Sequence, residues 1–106
     1  MDVHKLSEMT KGWFVGDFEP TLCKTDQFEV AVKYYRAGDH ESAHLHKIGT
    51  EITVIVSGHA RMNGRLLEPG DIVWIAPGEA TDFEALTDVA TTVVKFPSVK
   101  GDKYGA

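Results

Sequence analysis

The sequence predicts a small all-β protein, a single antiparallel β-barrel, and three observations carry that prediction. Turn signals recur at short intervals: Gly38-Asp39, Gly49-Thr50, Ser57-Gly58, Asn63-Gly64, Pro69-Gly70-Asp71 and Pro77-Gly78. The stretches between them are short and rich in β-branched and aromatic residues. Helical spacing of apolar residues is confined to residues 2–10, where Val3, Leu6 and Met9 could make one short helix.

Each element follows from its local pattern. Phe28 to Arg36 alternates, which places Phe28, Val30, Val32 and Tyr34 on one side of an expected strand. Glu51–Ser57, Ile72–Ala76 and Thr91–Phe96 are further β-rich runs. Asn63-Gly64 lies between His59–Met62 and Arg65–Glu68 and is a hairpin signal, because a two-residue turn of the favoured hand needs positive φ at both positions. Met62, Trp74 and Phe83 are expected in the core, and the polar tail Pro97–Ala106 on the surface or on a partner subunit. Residues 1–106 hold no repeat or linker and are expected to form one domain.

Composition excludes several classes of function. Apolar residues make up 42% and charged residues 25%, ordinary globular usage rather than disorder. Net charge is −5, from 16 acidic and 11 basic residues without a basic run, which argues against nucleic-acid binding. No stretch approaches the ~20 apolar residues of a membrane span. Residues 1–10 are charged throughout instead of carrying a leader's apolar core, so a cytoplasmic protein without a membrane partner is expected. The single cysteine, Cys23, cannot form an internal disulfide and is expected to be a buried or half-buried thiol.

One cluster carries chemistry. His44 and His46 are two residues apart. That spacing points them apart on a helix, but on a strand both face one side, roughly 6.6 Å from each other. Glu51 follows the turn at Lys47–Thr50 and can reach back as a third ligand. Two imidazoles and one carboxylate leave coordination positions open and suit a divalent transition metal: Fe, Mn, Ni or Zn. A buried Glu51 would otherwise need a proton or a partner such as Arg36 or Lys47. Tyr34 and Arg36 share parity on the preceding strand and could line the pocket mouth, whereas His4, His40 and His59 are expected on the surface.

The glycines around this cluster give it a family likeness. Gly38, His44, His46, Glu51 and Gly58, at their present spacing, resemble the first motif of the cupin family. Gly70-Asp71 followed by Ile72–Ala76 and Pro77-Gly78 resembles the second. The resemblance covers residues 38 to about 84. It implies a double-stranded β-helix, or jelly roll, with His44, His46 and Glu51 as metal ligands. The sequence departs from the pattern at Thr81, where the second motif has a histidine. Asp82 follows, but alternation turns it away unless a bulge intervenes, and Glu79 shares the parity of Thr81. Thr81, Asp82 and Glu79 are therefore the open fourth-ligand positions.

Cupins host dioxygenases, sugar isomerases and epimerases, lyases, and proteins that only bind, so the resemblance leaves two readings. One is a metal-dependent enzyme on a small polar substrate, such as a sugar or a carboxylate, with a base drawn from Asp82, Glu79, His40 or Tyr34. The other is a non-catalytic small-molecule-binding protein, with or without a structural metal. Sheet edges in so small a barrel need protection, which makes a homodimer the expected assembly, with residues 1–16 and the tail as contacts.

Overall fold

The computed structural model describes residues 1–106 and contains ten strands. They are β1 (Trp13–Val15), β2 (Glu29–Tyr35), β3 (His40–Leu45), β4 (Thr50–Ser57), β5 (Ala60–Met62), β6 (Arg65–Leu67), β7 (Ile72–Ile75), β8 (Thr81–Ala85), β9 (Val89–Phe96) and β10 (Tyr104–Gly105). One five-stranded sheet runs β1-β2-β9-β4-β7 and the other β10-β3-β8-β5-β6. From β2 to β5 and again from β6 to β9 each turn carries the chain to the opposite sheet, which is the winding of a double-stranded β-helix. The sheets face each other but do not close into the expected barrel. Their edge strands β1, β6, β7 and β10 hold only three, three, four and two residues. The helix expected over residues 2–10 shrinks to one 3-10 turn, Leu6–Glu8, which buries no side chain and has no side-chain cap.

The Asn63-Gly64 hairpin forms as its sequence dictates. Met62 sits opposite Arg65, and Asn63 and Gly64 have φ of 49° and 77°. Asn63 also ties the turn to β8: its main-chain N–H donates to Asp82 Oδ1 at 2.7 Å, and its side chain accepts from the Asp82 N–H at 3.1 Å. Gly58 is held to glycine by close approach, since a Cβ there would fall 2.0 Å from the Asp88 carbonyl oxygen.

The interior divides into two ends. Ile55, Ala60, Met62, Leu67, Ile75, Phe83, Ala85 and Val89 pack into one apolar cluster, which includes Met62 and Phe83 as expected. The other end is polar. On β2 the buried residues are Glu29 and Ala31, while Tyr34 is 73% exposed. Trp74 is likewise 61% exposed, packed edge-on against Phe96 rather than in the core. Alternation separates two faces but does not say which one turns inward. Here the apolar face turns out because charged side chains occupy the inside. Cys23 is exposed rather than half-buried, on the irregular segment between β1 and β2.

The tail does not lie free on the surface. It folds back over its own chain, buries Ser98 and Asp102, and pairs β10 with β3. The Asp102 carboxylate accepts main-chain N–H bonds from Lys47 at 2.8 Å, Ile48 at 3.2 Å and Gly49 at 2.8 Å. It caps the turn between β3 and β4 as a side chain caps a helix. Asp102→Ala leaves these donors unpaired and should cost about 2–4 kcal/mol, seen as a melting temperature lowered by roughly 10 °C or more. Asp102→Asn keeps one acceptor and should lose less. An unchanged melting temperature in the alanine variant would refute this role.

Candidate metal centre

Between the sheets, at the polar end, lies a cavity of about 290 Å³. Strands β1, β2, β3, β4, β5, β8 and β9 all furnish its walls. On β9 and its neighbours, Glu29 lies opposite Lys95, and Lys95 opposite Glu51, so charges alternate across the inner face. Lys95 Nζ lies 2.7 Å from Glu29 Oε1, and the Ser98 hydroxyl donates to Glu29 Oε2 at 2.6 Å. On β3 a bulge separates the pairs Glu41–Phe83 and His44–Thr81. Without it, Glu41 and His44, an odd number of residues apart, could not both line the cavity, as they do.

The two histidines are held in the same tautomer. His46 Nδ1 bonds the main-chain carbonyl of Asp102, and His44 Nδ1 the carbonyl of Ser42 at 3.2 Å. A carbonyl only accepts, so each Nδ1 carries the proton and each neutral ring keeps its lone pair on Nε2. Such fixing is what a metal-binding imidazole needs from its surroundings. The ring centroids are 5.4 Å apart, and His46 Nε2 is 3.6 Å from Glu51 Oε1. Two donors sharing an ion at about 2.1 Å stand about 3.0–3.5 Å apart, so this pair is close to ligand spacing. Glu51 Oε2 accepts the Thr53 hydroxyl at 3.3 Å, leaving Oε1 for the cavity.

The electrostatics fit a cation at this point. The hydrogen bond to Glu51 raises His46 above the usual imidazole range, against the opposing effect of burial. Burial by itself would raise the Glu51 carboxyl, but the hydrogen bond and charge of His46, with Lys95 and His44, outweigh it and hold Glu51 low. The ionised carboxylate is thus the stable form, and it favours a proton or a metal ion on the nitrogen facing it. The third donor is not yet in place: no three His, Cys, Asp or Glu side chains stand close enough to hold an ion without rearrangement. The donor set suits a transition metal in kind.

The other expected positions divide clearly. Thr81 is 6% exposed, directly opposite His44, and lines the cavity. Asp82 borders the cavity, but its carboxylate holds the Asn63 turn. The bulge falls on the strand opposite Asp82 and does not redirect it. Glu79 is exposed and borders a separate concavity beside Trp74 and Arg65. Tyr34 and Arg36 are exposed and line no part of the cavity; Lys33 and Tyr35, of opposite parity, line it instead. Glu51 has His46 and Lys95 as its neighbours, not Arg36 or Lys47, whose Nζ lies 4.0 Å over the Tyr104 ring. His4, His40 and His59 are exposed. Sequence reasoning missed Lys33, Tyr35, Glu41, Lys95 and Asp102. Lys33 and Lys95 had a signal: single charges inside β-rich runs, at positions that alternation puts opposite the apolar face.

His44→Ala or His46→Ala should cut bound metal sharply in elemental analysis, and unchanged stoichiometry in both would refute the donor set. Thr81→His should raise affinity for Zn or Ni by adding a third imidazole. Asp82→Asn should leave metal affinity unaltered, since its carboxylate serves the hairpin. Weaker metal binding in that variant would make Asp82 a ligand after all.

No protein-family model matches the chain, and no curated protein matches it. Solved structures do. A conserved protein with a double-stranded β-helix domain from Klebsiella pneumoniae shares 20% identity over 98% of this chain and 90% of its own, with a TM-score of 0.74. DMSP lyase DddQ from Ruegeria pomeroyi shares 22% identity over 89% of this chain and 49% of its own, with a TM-score of 0.73. A sugar phosphate isomerase of the cupin superfamily from Silicibacter pomeroyi shares 20% identity over 66% of this chain and 50% of its own, with a TM-score of 0.62. The chain spans about half the length of these two enzymes. These likenesses establish the fold: a double-stranded β-helix of the cupin kind. No helix is long and apolar enough to cross a membrane.

Proposed function

We propose that this chain, built on the cupin fold, binds a divalent transition metal through His44, His46 and Glu51 and acts as a metal-dependent enzyme on a small polar substrate such as a sugar or a carboxylate. One observation carries the reading: two imidazoles with Nδ1 committed to main-chain carbonyls share a cavity with a buried, ionised carboxylate. With Nδ1 protonated, the lone pair of His46 Nε2 faces Glu51, an arrangement that repels unless a cation lies between. When bound, the ion supplies Lewis-acid polarisation of a substrate oxygen.

The chain's own residues supply the rest. Thr81 brings a hydroxyl in place of a further imidazole, leaving room for a substrate oxygen. Tyr35 donates its hydroxyl to Glu41 Oε1 at 2.8 Å on the cavity wall. Burial and the adjacent Glu41 raise Tyr35 above the ordinary phenol range, so it stays protonated and holds a proton at its Oη. The double-stranded β-helix relatives include a lyase and an isomerase by name, chemistries that need such a proton donor or acceptor.

A second reading, non-catalytic binding of a small molecule, is favoured by Thr81, since a hydroxyl adds little to metal affinity. The test is elemental analysis of untagged protein, removal of the metal with a chelator, and return of Fe, Mn, Ni or Zn before assay on sugars and carboxylic acids. The expected result is about one metal per chain, with turnover lost on chelation and restored by one ion. Bound metal without turnover on any compound supports the second reading, and metal at trace level with turnover unaffected by chelator would overturn the first.

A further inference from the structure

The same cavity gathers several of the protein's cations. The protein carries a net charge of −5, yet Lys11, Lys33, Lys95 and Lys103, four of its 11 basic side chains, line this one space. The three acids that line it are Glu41, Glu51 and Asp82, and each is engaged: by Tyr35, by His46 and by the Asn63 turn. Lys95 is paired with Glu29. Lys33 is not paired, for none of the four ion pairs in the protein includes it. Its ammonium has the rings of Trp13 and Tyr35 beside it, each 5.8 Å away at the centroid.

Two further facts bear on that space. Across the β2–β9 pairing, Lys33 stands opposite Thr91, which is 1% exposed. Thr91 borders the cavity, and its enclosed hydroxyl has no hydrogen-bond partner, an arrangement that costs free energy. Lys11 and Lys103, both exposed, stand at the rim, and their charges repel that of Lys33. Burial chiefly, and these two lysines, push the Lys33 ammonium below its usual range, while Glu41 and Glu51 pull the other way. A half-buried cation with like charges above it is relieved by an anion.

We infer that Lys33, with Lys11 and Lys103 at the rim, forms an anion subsite that receives a carboxylate or phosphate group of the substrate. The inference makes the substrate an anion, and it rests on the reading that this cavity is the substrate site. It does not depend on a bound metal.

The test is calorimetric titration of the full chain with malonate, inorganic phosphate and neutral malonamide, on protein as purified and again after chelator treatment. Malonate or phosphate should bind about tenfold or more tightly than malonamide, before and after chelation. The tighter of the two identifies a carboxylic acid or a phosphate ester. Lys33→Met should weaken anion binding about tenfold, Lys33→Arg should retain it, and Lys24→Met, which removes an exposed cation elsewhere, should change nothing. Should Lys33→Met fail to fold, reductive methylation of the unaltered protein decides: malonate or phosphate should slow modification of Lys33. Equal binding of malonate and malonamide, wild-type anion affinity in Lys33→Met, or unprotected Lys33 would overturn the subsite. Anion binding that disappears on chelation and ignores Lys33 sinks this inference and leaves the metal reading standing. Binding that survives in protein found to hold no metal does the reverse.

Discussion

A carboxylate enclosed beside an imidazole, inside a sandwich of 106 residues, must be neutralised where it lies, and much of the architecture follows from that constraint on Glu51. Lys95 stands across the sheet from it, and Glu29 stands across from Lys95, so the interior charge is spread along a row of alternating sign instead of being concentrated in one pair. His46 faces Glu51 from the turn after β3. The same row dictates which face of the sheet turns inward. It leaves Val30, Val32 and Tyr34 on the outside of β2, where a simple hydrophobic rule would not put them.

A structure with a polar interior needs its apolar contacts elsewhere. They are gathered at the opposite end, where Ile55, Leu67, Phe83 and Val89 belong to one cluster. Tyr35 joins the two halves: its ring stacks on Phe83 with centroids 4.5 Å apart, and its hydroxyl reaches Glu41 in the cavity. The cavity therefore has a packed floor, and the geometry of its polar walls is inherited from that packing. The tail works on the other side of the site. Asp102 uses its carboxylate to hold the β3–β4 turn and its carbonyl to orient His46, so one residue near the end of the chain positions both the loop and a candidate ligand.

What could be read from the amino-acid order was local. Short strands, the Asn63-Gly64 turn and the grouping of His44, His46 and Glu51 within eight residues all depend on neighbours along the chain, because one strand and one turn suffice to bring those side chains to the same region. Thr81 was identifiable as a cavity position through the resemblance of Gly70–Gly78 to the second cupin motif, which has a histidine there. Tertiary structure decided the rest. Alternation along β2 could not tell whether Tyr34 or Tyr35 would face inward, since that depends on the charges arriving from β4 and β9. The bulge that brings Glu41 and His44 to one side is a property of the pairing of β3 with β8. The orientation of His46 comes from a residue 56 positions away, and no local pattern encodes a contact made only when the chain closes on itself.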